Sequence, residues 1–152
     1  MKHLAQVNIA RMLAPIDSPV MKDFVDNLDR INALAESSKG FVWRLKTDDN
    51  NATSLRIMDD DFLIVNLSVW QDLSSLFDFV YRTAHVEIYK RRGEWFEKMK
   101  ESHTALWYVS ENAYPTVKDA EEKILHLRKY GESDEVFSIK AAAAKLQKEV
   151  RK

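Results

Sequence analysis

"FLIVNLSVWQDLSSLFDFVYRTAH", residues 62–85, changes period halfway along. Up to Trp70 the side chains alternate. Leu63, Val65, Leu67 and Val69 point one way, and Asn66, Ser68 and Trp70 point the other. That is the two-residue period of a strand. From Asp72, an N-cap residue type, the apolar positions in "DLSSLFDFVY" recur at helical spacing. A strand that feeds a helix, with one face apolar and the other mixed, implies a sheet whose two faces meet different surroundings.

The rest of the chain supplies partners for this unit. "LAQVNIAR", residues 4–11, also alternates: Ala5, Val7 and Ile9 on one side, Gln6 and Asn8 on the other. "APIDSP" then breaks the pattern, and Asp17 or Ser18 caps a helix over 19–37 with Pro19 at its first position. Gly40 follows it. "FVWRLK", 41–46, reads as a short strand, and "SLRIM" as an extension of the hairpin beyond a polar loop. The acidic run 59–61 reads as a solvated turn, because three adjacent side chains converge poorly on one ion. After the helix at Asp72 a longer helix is expected over 82–100, with Gly93 its weak point. "TALWYVS", 104–110, is a strand. Thr116, with Asp119 three positions on, starts a helix that ends before Gly131. "VFSIK", 136–140, reads as a final edge strand.

The order β-α-β-β-α-β predicts an α+β fold of the ferredoxin-like kind, an antiparallel sheet with helices on one face. Residues 1–140 make one domain, and 141–152 a charged, helix-prone tail with little to bury. One layer of helices leaves an apolar sheet face open, so a homodimer formed through that face is expected.

Composition narrows the function. Of 152 residues 45% are hydrophobic and 31% charged, with a formal net charge of -1, so nothing draws the chain to nucleic acid or to an anionic membrane. The basic run Lys90-Arg91-Arg92 is set among Glu87, Glu94 and Glu97 and reads as a solvated helix face. The absence of cysteine removes disulfides, thiolate metal sites and cysteine nucleophiles, and fits a reducing compartment. No apolar run approaches the roughly 18 residues of a membrane span, and the N-terminus alternates where a signal peptide is continuously apolar. A cytoplasmic protein is expected. With 3 glycines, at 40, 93 and 131, there is no phosphate-binding loop and no nucleotide motif. His3, His103 and His126 lack ligand spacing with one another and with His85, so no metal site is expected.

"HLAQVNIAR", "NLSVWQDLSSLFDFVYRTAHVEIYKRRGEWF", "ALWYV" and "PTVKDAEEKILHLRKYG" together resemble the family known as domain of unknown function 3291, over about residues 3–140. The resemblance implies the dimeric α+β barrel fold. That fold is shared by small antibiotic-biosynthesis-type monooxygenases, haem-degrading monooxygenases and spheroidene-monooxygenase-like proteins. One departure stands out. The family commonly has Trp-Trp-Val-Pro-Ala-Gly-His before its Pro-Thr helix start, whereas this chain has Trp107-Tyr108-Val109-Ser110-Glu111-Asn112-Ala113, with Ala113 in the histidine's place.

In this fold group a substrate or haem lies between the sheet and the helices. By parity Asn8 joins Asn66, Ser68 and Trp70 on one sheet face. If that face looks at the helices, His85 enters from the opposite wall. Asn8, Trp70 and His85 are therefore the candidate catalytic residues, and Asn66 and Ser68 the candidate ligand pocket. A neutral imidazole ligates iron, an amide bonds to an oxygen and an indole supplies a flat wall, so His85 is also the candidate haem ligand. His85 follows Trp70 by fifteen positions, farther than in haem-degrading enzymes. The plainer reading makes it a helix-surface residue paired with Glu87 or Glu94. Two functions stay open: a monooxygenase-like enzyme for a small apolar or aromatic ligand, with or without haem, and a non-catalytic ligand-binding or structural homodimer. Trp95 and Phe96 are expected to be structural.

Overall fold

The alternating segments pair as one antiparallel sheet. β1 (Lys2–Arg11) and β3 (Leu63–Trp70) lie at its centre, and β2 (Phe41–Arg44) and β4 (Thr104–Ser110) at its edges, in the order β2-β3-β1-β4. The structure is a computed structural model that describes residues 2–150, with side chains through residue 146. Register fixes the faces. Leu4, Gln6, Asn8 and Ala10 stand opposite Trp70, Ser68, Asn66 and Ile64. Ala5, Val7 and Ile9 stand opposite Val69, Leu67 and Val65 on the other face.

The two crossover segments lie on the Leu4–Trp70 face, as the ferredoxin-like α+β class requires. α1 (Lys22–Ser37), which a 3₁₀ turn at Pro19–Met21 precedes, brings Ala35, Ile31 and Leu34 onto Leu4 and Trp70. α2 (Leu73–Arg82) brings Leu76, Phe77 and Phe79 to the same cluster. Asp72 caps α2, its carboxylate accepting from Ser75 N at 2.8 Å. A second cluster covers the opposite end of this face: Met12, Met21, Ile64 and Trp95, with Phe24, Ile88 and Phe96 against them.

The helix expected over 82–100 is much shorter. α2 ends where Thr83 adopts an extended backbone, and α3 is six residues, His85–Lys90. A 3₁₀ turn over Arg92–Glu94 follows, and the chain then runs along the end of β1: Leu13 N donates to Trp95 O and Glu97 N to Arg11 O, at 2.8 and 2.9 Å. This return seats Trp95, 1% exposed, in the core beside Phe24. Burying one indole outweighs continuing a helix through Gly93.

The other sheet face is covered within the chain. α4 (Val117–Tyr130) begins in a capping box between Thr116 and Asp119 and packs Ala120, Ile124 and Leu127 on Val7, Val65, Leu67 and Trp107. Leu45, Leu55, Ile57 and Met58, from the segment expected to extend the hairpin, pack beside them in place of further strand. The row Leu63, Val65, Leu67 and Val69 is thus buried without a partner copy. The expectation of helices on one face holds for the crossover helices, and α4 adds a layer behind. Among the described residues, the apolar row that motivated self-association is covered by the chain's own segments.

"VFSIK" contributes one bridge, Phe137 to Leu106, and not a strand. α5 (Ile139–Val150) starts directly after it, because a run of alanines favours helix. The tail expected to bury little instead buries Ala142, with Leu146 against the α2 cluster. Residues 151–152 lie outside the described residues. Among the described residues no helix is long and apolar enough to cross a membrane.

Candidate active site

The two clusters on the helix-bearing face leave a strip of sheet between them. One closes over Leu4, Trp70 and Leu106, the other over Ala10 and Ile64. Between these ends stand Gln6 opposite Ser68, and Asn8 opposite Asn66, with Thr104 beside Asn8 on β4. Asn8 and Asn66 are exposed although both lie on central strands, while every neighbour along β1 from Leu4 to Ile9 is buried. Central-strand side chains become exposed when nothing lies above them, so this strip is the floor of an open gap between the two packed ends.

The floor is hydrogen-bonded. Gln6 Nε2 donates to Asn66 Oδ1 and to Ser68 Oγ, both at 2.7 Å, and Trp70 Nε1 donates to Ser68 Oγ at 2.9 Å. Gln6 Nε2, Ser68 Oγ and Trp70 Nε1 thus each have a partner here. Trp70 itself is 1% exposed. Phe79 stacks on it with centroids 5.2 Å apart, and Phe41 meets it edge-on at 5.5 Å. Trp70 shapes the end of the strip from beneath Phe79 and has no open face of its own.

His85 sits at the start of α3, where its ring contacts Phe79 at 4.9 Å. Three residues on, Ile88 shares its side of the helix and packs in the far cluster. The histidine thus links the two clusters on the helix side, its ring on Phe79 of one and its helix carrying Ile88 of the other. Its Nδ1 bonds to Val80 O at 3.1 Å, and neither Glu87 nor Glu94 pairs with it among the described residues. Glu94 is held by Arg91. Burial holds the His85 imidazole below its ordinary value, the Val80 bond opposing this more weakly. The ring is neutral near pH 7. With the proton on Nδ1 toward the carbonyl, Nε2 carries the lone pair.

The structure therefore brings Asn8, Asn66 and Ser68 together on one floor with Trp70 at its end, and reaches His85 through Phe79. Two contributors were not singled out from sequence. Gln6 shares the parity of Asn8, and that signal was present. Phe79 carried none, because its place between Trp70 and His85 depends on how α2 lies across the sheet. Among the described residues no group of three or more His, Asp or Glu side chains is placed to hold a metal.

A four-stranded antiparallel α+β sheet of this order, with a polar strip beneath its crossover helices, defines the class: the fold of the dimeric α+β barrel proteins. SnoaB, a cofactor-independent oxygenase from Streptomyces nogalater, shares the fold at 16% identity, with 76% of this chain and 100% of SnoaB covered and a TM-score of 0.51. A conserved protein from Methanosarcina mazei Go1 does so at 15% identity, with 74% and 95% covered and a TM-score of 0.50. The chain belongs to the family described as domain of unknown function (DUF3291), whose model matches residues 3–152. No curated protein matches it.

Proposed function

We propose that the protein is a small oxygenase-like enzyme that binds a flat apolar or aromatic molecule in the cleft and activates oxygen without a cofactor. The observation that carries this reading is the exposed pair Asn8 and Asn66, facing each other on central strands between two aromatic-walled clusters. Likeness of fold to a cofactor-independent oxygenase supports it. An oxygenase with no cofactor needs a substrate that supplies the electrons itself, such as a phenolic ketone whose enolate is electron-rich. For an anthrone, the ring methylene loses a proton, the carbanion passes electrons to O₂ and a C–O bond forms. The peroxide takes the proton back, and loss of water from the hydroperoxide leaves the quinone. His85 Nε2 would take the proton, and the Asn66 and Asn8 amides would hold the enolate oxygen.

The haem form is less well supported. Phe79 lies between Trp70 and His85, at 5.2 and 4.9 Å from the two rings, so it fills the space in which one macrocycle would meet both. Titration with haemin should therefore leave the Soret band of free haemin unshifted, and a shifted, saturable band would favour His85 as an iron ligand. The cofactor-free reading is tested by oxygen uptake with a dihydroxyanthrone in the presence of a chelator. Wild type should accelerate uptake over buffer, and Asn66→Ala should remove most of that acceleration.

A further inference from the structure

Gln6 is closed off from solvent, at 6% exposure, while Asn8 and Asn66 beside it are open. A carboxamide nitrogen has two protons to give and accepts nothing. Gln6 Nε2 gives one to Asn66 Oδ1 and one to Ser68 Oγ, each at 2.7 Å. Ser68 Oγ also accepts from the Trp70 indole, a group that can only donate. In this arrangement the carbonyl of Asn66 accepts from Gln6 and is turned to the floor. Its Nδ2 donates to no group among the described residues, and the residue as a whole is exposed.

We propose that Gln6 is a positioning residue that sets the polarity of the cleft. It holds Asn66 so that the NH₂ group, and not the carbonyl, faces the ligand. The ligand then meets the floor through an acceptor oxygen, a ketone, phenolate or enolate. A hydroxyl or amine donor group at the same place would find no acceptor on Asn66. The ligand class rests on the oxygenase-like reading above, whereas the amide orientation stands on the hydrogen bonds alone.

Gln6→Glu inverts the device with little change of shape. At pH 8 an ionised carboxylate only accepts, so Asn66 must turn its NH₂ inward and its carbonyl outward. Two measurements test this. In ¹⁵N-labelled wild type, side-chain exchange by NMR should show the Gln6 amide protons protected and the Asn66 amide protons exchanging with water. The reverse pattern overturns the proposal, and this readout needs neither a ligand nor a variant. Anthraquinone sulfonate, which on its ring system offers acceptors only, should bind wild type with a shift of the Asn66 amide. Gln6→Glu should weaken it about tenfold, the worth of one hydrogen bond to a ligand. Equal affinity in a folded variant overturns the proposal. Failure of wild type to bind the probe, with the Gln6 protons protected, would contradict the ligand class and support the orientation.

Discussion

Asn66 shows how much of a site one residue's parity can carry. Its place opposite Asn8, on the face that meets the helices, follows from alternation alone, because a strand cannot put neighbours on the same side. Trp70 shares that parity and is nonetheless buried, since the ring at the strand end falls under Phe79 and Phe41. Parity gives direction, and packing decides exposure. If Asn66 donates to a developing enolate, Asn66→Ala should lower turnover of a dihydroxyanthrone by about 10²–10³, as loss of an oxyanion donor does, and should lower the melting temperature by a few degrees, because buried Gln6 loses an acceptor. His85 gives a prediction of a different kind. Its folded-state value lies below the ordinary 6.5 because burial disfavours the charged ring. Its contribution to stability is therefore complete above pH 6.5 and declines as pH falls toward the folded value, where the unfolded chain binds the extra proton. His85→Phe should flatten that decline in urea titrations at stepped pH. An identical decline in the variant would assign it to other groups.

At the scale of elements, caps were the most legible features. Asp72 and the Thr116–Asp119 box start α2 and α4 where their residue types require. Thr116→Ala should cost about 1 kcal/mol by denaturant unfolding, the ordinary worth of such a cap. Helix lengths were less legible. The stretch from Thr83 to Phe96 reads as helical because its apolar spacing fits, but an extended residue at Thr83 and the return pairing of Trp95 with Leu13 divide it. Neither is visible without knowing where β1 ends. The turn before β2 holds a strict requirement. Gly40 has φ +85, and a Cβ there would collide with the Ser75 side chain at the start of α2. Gly40→Ala combines left-handed strain with a clash and should cost about 2 kcal/mol or more. A variant with an unchanged unfolding midpoint would show that this turn is free to relax.

The whole molecule closes its two sheet faces differently, and only one closure was foreseen. The sequence places two crossover helices on one side. Nothing in the pattern of 117–130 says which face of the sheet it will choose, because an amphipathic helix fits either apolar surface. Once α4 lies on Val7, Val65, Leu67 and Trp107, the apolar row is satisfied within the chain. Ile124→Asp should lift α4 by placing a charge in that layer, lower the melting temperature, and expose the row to self-association at micromolar concentration. Sedimentation unchanged from wild type, with unchanged stability, would argue that α4 is not the cover. The other face keeps an open strip between two packed ends, and the account of function depends on that strip being a working surface. Oxygen uptake with a dihydroxyanthrone and a chelator, comparing wild type with Asn66→Ala, tests this most directly. The account predicts acceleration over buffer by wild type and little by the variant. Wild type no faster than buffer, or a variant equal to wild type, would contradict it.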